Sequence, residues 1–87
     1  MMRTMLEIAI EVISKDTTRH FTFEEIFQRV ESELAEVWAT KFVDEKNSYN
    51  DVRVRKMGEL YRILTVDRHF KHLQDETWKS STYKIKN

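Results

Sequence analysis

Phe70-Lys71-His72-Leu73-Gln74-Asp75-Glu76-Thr77-Trp78-Lys79 changes the period of the chain from that of a helix to that of a sheet. Phe70 and His72, then Thr77 and Lys79, suggest two strands, and polar Gln74-Asp75-Glu76 supplies the turn between Leu73 and Thr77. Trp78, with Tyr83 and Ile85 beyond it, brings the aromatic and β-branched character that a half-buried strand prefers. Upstream of this hairpin the pattern is helical, except for one short β-prone piece, Phe21-Thr22-Phe23.

Directly before the hairpin, Met57, Leu60, Tyr61 and Leu64 recur at helical spacing, with Val52 and Ile63 at the edge of the stripe. Asn50 or Asp51 is the expected cap of this third helix, and Lys46-Asn47-Ser48-Tyr49-Asn50-Asp51 the connection leading to it. At 100° per residue Arg55, Glu59 and Arg62 share the outward face, with Lys56 flanking it. Arg53 falls close to the apolar stripe, so it either precedes the helix proper or carries its charged head out to water.

Further upstream, Thr22 offers a helix N-cap with Glu25 three residues on, the spacing at which two orphan backbone donors are satisfied reciprocally. Phe21 and Ile26 are spaced as a hydrophobic staple. The second helix is expected to bury Ile26, Phe27, Val30, Leu34 and Val37, with Trp38 a further candidate, and to turn Glu31, Glu33 and Glu36 to water. Its end is left open, since residues 39–43 can extend it. In the first helix Leu6, Ala9, Ile10 and Ile13 form one face, widened by Met5, Ile8 and Val12. A stripe so wide predicts packing by more than one neighbour. The helix ends near Lys15, where polar Asp16-Thr17-Thr18 begins.

Helix, short strand, helix, helix, hairpin is the order of a winged helix-turn-helix. The expected fold is thus α+β and mostly helical, with three helices and a small three-stranded antiparallel sheet. The C-terminal hairpin is the wing, and the Phe21 piece the third strand. The 87 residues suffice for one domain, 1–87, with a modest core. With no cysteine, neither disulfides nor thiolate metal sites can form, which suits a reducing cytoplasm. No apolar run approaches the roughly 20 residues that span a bilayer. Glu7 and Glu11 interrupt the only run resembling a signal peptide. A cytoplasmic protein with no membrane partner is expected.

Formal charge is zero in total and uneven in distribution: residues 1–45 carry five Lys/Arg against ten Asp/Glu, and residues 46–87 the reverse. A neutral total argues against strong non-specific nucleic-acid binding, which depends on neutralising many phosphates. The basic second half still provides a local face for a charged partner.

No Gly-rich phosphate loop, nucleophile motif or acidic cluster at metal-ligand spacing occurs, so no catalytic residue, metal or cofactor is assigned. His69 and His72 would point to opposite faces of a strand, and Asp75-Glu76 is a turn. The third helix of a winged helix-turn-helix commonly enters the DNA major groove. There Arg53, Arg55, Lys56 and Arg62 would meet phosphates or guanine edges, with Arg68, Lys71, His72 and Lys79 adding contacts from the wing. Glu59 between Arg55 and Arg62 and the long connection before the helix weigh against this. Protein binding fits the same surface with fewer demands, since an acidic second helix and a basic third one steer encounter and fix register. Trp38, Phe42 and Tyr49 fall in the connection, where each is either a partner anchor or buried on the helices. The aromatic connection alone supports a third reading, a dimerising module; a monomer is expected.

The stretch from Gly58-Glu59-Leu60-Tyr61-Arg62 through Val66-Asp67-Arg68-His69-Phe70 to Asp75-Glu76-Thr77-Trp78 resembles the HARE-HTH family, the N-terminal domain of the bacterial RNA polymerase delta subunit. The family joins an aromatic-bearing third helix, through an Asp and an Arg-Phe-type strand, to a hairpin ending in Asp-x-Thr-Trp. Ile8-Ala9 with Val12, and Phe21-Thr22-Phe23-Glu24-Glu25-Ile26, extend the similarity over nearly the whole chain. The resemblance implies that Tyr61, Phe70 and Trp78 pack the hairpin onto the third helix. It also implies a non-catalytic accessory subunit that binds core RNA polymerase and influences promoter selectivity, nucleic-acid release and recycling. The sequence departs from the family in the long connection over residues 37–51, in Lys79 where a glycine usually follows the Trp, and in Arg68-His69 without glycine. Family members also carry a long acidic tail held to compete with nucleic acid. No such tail is present up to Asn87.

Overall fold

Three hydroxyl residues each stand three positions ahead of an acidic one, and each opens a helix. The structure, a computed structural model, describes residues 3–81. Thr4 caps α1 (Met5–Ser14), Thr22 caps α2 (Phe23–Phe42) and Ser48 caps α3 (Tyr49–Val66), paired with Glu7, Glu25 and Asp51 in complete capping boxes. The hairpin follows as β1 (Phe70–His72) and β2 (Trp78–Ser80). Expectation and structure agree at Thr22 and differ at Ser48: Asn50 and Asp51 lie inside α3, because Ser48 is the residue whose hydroxyl reaches the free Asp51 N–H at 3.1 Å. With α2 running to Phe42, the connection shrinks to residues 43–48. Asp44 folds it by accepting the Lys46 and Asn47 N–H groups, both at 2.8 Å.

The core is one cluster drawn from every element. Ile8, Ala9 and Ile13 come from α1, Ile26, Phe27, Val30, Leu34 and Trp38 from α2, and Val52, Leu60 and Leu64 from α3, closed by Phe21, Phe70 and Trp78. Full burial of a Val, Leu, Ile or Phe side chain contributes about 1.5–3 kcal/mol. Val37, expected inside, is only partly buried. Trp38, one residue on, takes the inward position at 3% exposure. The staple pair Phe21 and Ile26 is buried. No helix is long and apolar enough to cross a membrane, among the described residues.

The hairpin is antiparallel, pairing Phe70 with Ser80, Lys71 with Lys79 and His72 with Trp78. Glu76 N–H donates to Leu73 O at 3.0 Å, Leu73 N–H to Thr77 O at 2.8 Å, and Glu76 takes φ 70°. This is a four-residue turn closed by a left-handed bulge residue, a position that usually holds glycine. Asp75 fixes it by accepting from both the Thr77 N–H and its hydroxyl.

The sheet has two strands among the described residues. Phe21 joins it by a single bridge to Trp78, each residue donating to the other at 2.8 Å. The bridge cannot lengthen into α2, because Thr22 is already its N-cap. Tyr83 and Ile85 lie outside the described residues.

Candidate functional site

Six cations, Arg53, Arg55, Lys56, Arg62, Arg68 and Lys71, mark the expected partner surface, and the fold divides them. The two nearest the core stripe are committed inward. Arg53 Nε donates to Glu31 Oε2 at 2.9 Å, and its guanidinium lies 5.1 Å from the Phe27 ring centroid. It is a residue of the helix proper whose head leans across to α2. Tyr49 OH donates to the same Glu31 oxygen at 2.7 Å. Burial, then the hydrogen bond to the Glu31 carboxylate, pushes the Tyr49 phenol up to about 12. Glu31, Tyr49 and Arg53 thus form one tie between α2 and α3, and none of the three is spare.

Lys56 is the second committed cation. Its ammonium sits 3.2 Å from Glu59 Oε1 and 4.6 Å from the Phe42 ring centroid, with its side chain 18% exposed. It borders a cleft of about 350 Å³ between the start of α1 and the end of α2, floored by Leu34 and Trp38. Phe42 is 39% exposed and serves as the platform for Lys56. Of the three aromatics that the sequence left between burial and partner contact, Trp38 is buried, Tyr49 is bonded to Glu31, and Phe42 stays at the surface.

Arg55, Arg62 and Arg68 point outward. Arg55 has one long hydrogen bond, Nη1 to Asn47 Oδ1 at 3.5 Å. The Arg62 and Arg68 guanidinium groups make no hydrogen bond or ion pair among the described residues, although the charge of Arg68 is felt by the neighbouring Asp67. Arg68 holds the corner between α3 and β1, where its carbonyl accepts the Ser81 hydroxyl. Lys71 is exposed in mid-β1 opposite Lys79, and both make interactions of their own. Asp67, just before Arg68, accepts His69 N–H at 2.8 Å and faces His69 Nδ1 at 2.7 Å.

The signature trio divides as well. Phe70 and Trp78 are core residues, whereas Tyr61 is 45% exposed. Its ring meets Trp78 and Phe23 edge-on, each at 5.8 Å, so it braces the hairpin from outside. The reason lies in the helix: Leu60 and Leu64 face the core, and Tyr61 falls at the margin of that arc.

Beside Arg55 and Arg62 the outer arc of α3 presents Val54, Gly58, Tyr61, Thr65 and Val66, all exposed. Sequence reasoning missed this apolar component. Its signal was present, since successive 100° steps put Val54, Gly58, Tyr61 and Thr65 in one row away from Leu60 and Leu64. On the same arc Asp51 is held in the Ser48 capping box and Glu59 is paired with Lys56, while Asp44 in the preceding connection feels the charge of Arg55. What remains is a face where outward arginines stand among exposed apolar groups, suited to binding. Among the described residues no group of His, Asp and Glu gathers that could hold a metal ion.

No family model, curated protein or solved structure matches this chain.

Proposed function

We propose that this chain is a non-catalytic accessory domain of the RNA polymerase delta type, which docks on core RNA polymerase through the outer face of α3 and modulates transcription initiation and enzyme recycling. The observation that carries this reading is the partition of the cations. Arg53 and Lys56 are consumed by Glu31, Glu59 and aromatic rings, whereas Arg55 and Arg62 remain on the arc that exposes Val54 and Tyr61, with Arg68 at the corner beyond the helix. A few cations interleaved with apolar groups suit a protein surface, where aromatic and Arg anchors dominate binding. The Trp78 hairpin seated against α3 also supports it, as does the Phe21 bridge, which on this reading is a minimal third strand of a winged-helix sheet. The domain acts as a cytoplasmic monomer without a cofactor.

Retention of core RNA polymerase by the immobilised domain at moderate salt, with no retention of a duplex DNA pool, is the expected result. No association at micromolar concentration overturns the reading.

A second reading, a DNA-binding winged helix, is favoured by the unpaired guanidinium of Arg62 on the same face as Arg55. It requires binding that weakens with salt by a slope of about 0.9 per phosphate contacted. Salt-independent binding excludes it.

A further inference from the structure

Gly58 is the only glycine of the chain and stands in mid-α3 on its exposed side. No internal contact requires it there. Its φ is not in the left-handed region, and a Cβ built on it would meet nothing within 4 Å. Glycine in a helix interior is less favourable than alanine, because it loses more backbone freedom on folding. An exposed helix glycine leaves room for another backbone to approach closely.

The surroundings of Gly58 say which kind. Val54 and Tyr61 lie one turn to either side of it, 56% and 45% exposed. Arg55 and Arg62 flank it on the adjacent row, neither within ion-pair distance of a carboxylate among the described residues; Arg55 bonds Asn47 and acts on Asp44 only at longer range. The two guanidinium groups are two helical turns apart, about 10 Å along the axis.

We infer that α3 receives an acidic amphipathic helix of the partner, crossing at Gly58. The absent side chain permits an interaxial distance at the short end of the usual 8–10 Å range. Val54 and Tyr61 pack against the apolar edge of that helix, and Arg55 and Arg62 pair with carboxylates about two turns apart on it. A phosphate backbone matches the arginines but offers nothing apolar to Val54 and Tyr61, so a protein helix is the better occupant. The inference rests on the reading of α3 as the docking face and names what that face accepts.

Gly58→Ala separates the two claims. In the free domain the methyl enters open space, so the melting temperature should rise by roughly 4–8 °C. Affinity for core RNA polymerase should fall roughly tenfold as the methyl holds the helices apart. Gly58→Leu should abolish binding while the domain stays folded. Wild type and Gly58→Ala binding the polymerase equally well overturns the inference and leaves the docking function standing. Wild type failing to bind the polymerase overturns both. Binding to duplex DNA instead, weakened by Gly58→Ala, puts a nucleic-acid backbone over Gly58 and overturns the assignment to a protein helix.

Discussion

The His72 imidazole lies 4° from parallel to the Trp78 indole, with ring centroids 3.8 Å apart. The two residues face each other across the hairpin register, and Tyr61 of α3 meets both rings edge-on. Trp78 also makes the backbone bridge to Phe21 at the mouth of α2. One side chain thus joins the sheet to α3, and its backbone joins the sheet to the start of α2.

Trp78 is 1% exposed, so its truncation leaves a cavity at that junction. Trp78→Ala should cost roughly 3–5 kcal/mol in urea denaturation. A loss below ~1 kcal/mol would contradict the central packing role.

Glu76 holds a left-handed conformation that glycine adopts without strain. Glu76→Gly should stabilise the domain, by up to about 1 kcal/mol, because relief of strain outweighs the added freedom of the unfolded chain. The lost Glu76–His72 contact, 3.9 Å long and on a mostly exposed carboxylate, contributes little. Thermal melts of the two proteins check this, and a lower midpoint for the glycine variant counts against the turn geometry.

Arg53 and Arg62 should separate structure from binding. Arg53→Ala removes the α2–α3 tie to Glu31 and the cover of Phe27, and should cost about 1 kcal/mol, since the pair is part-exposed. Arg62→Ala should stay within about 0.5 kcal/mol of wild type in stability yet bind partner more weakly. Equal loss of stability in both variants would place Arg62 in the framework as well.

Arg3 clamps α1 to α2: it donates to Glu33 through Nε and Nη2 at 2.8 and 2.7 Å, and its Nη2 forms an ion pair with Glu11 Oε1 at 2.7 Å. The Arg3 guanidinium holds both carboxyls below their usual range. A carboxyl depressed in the folded state contributes stability above its unfolded pKa and loses it as pH falls through the folded value. Stability should therefore decline as pH falls below about 4.3, the ordinary glutamate value. Denaturation midpoints measured from pH 7 to pH 3 should fall less steeply in Arg3→Ala, and an unchanged slope would show that the clamp carries none of the acid sensitivity.

The hairpin and its turn were legible because period two, Trp78 and the polar Gln74-Asp75-Glu76 all agreed. So was the start of α2, where the Thr22/Glu25 box and the Phe21/Ile26 staple coincide. The start of α3 was misplaced because Ser48, Asn50 and Asp51 all have capping side chains, and only backbone geometry selects among them. Tyr61 was assigned to the core by its spacing and by the family resemblance. Its ring is long enough to brace Trp78 while nearly half of it stays in water. The candidate face was half legible. Charge and helical phase located Arg55 and Arg62, but the commitment of Arg53 to Glu31 and of Lys56 to Glu59 and Phe42 depends on how α2 and α3 cross, which no local pattern encodes.

Docking of α3 on core RNA polymerase is tested most directly by titrating the polymerase into the fluorescently labelled domain at moderate salt, with wild type beside an Arg55→Glu/Arg62→Glu double variant. Saturable micromolar binding by wild type, unaffected by competing duplex DNA and lost in the folded double variant, is the predicted result. Binding that survives the double charge reversal, or no binding by wild type, would contradict it.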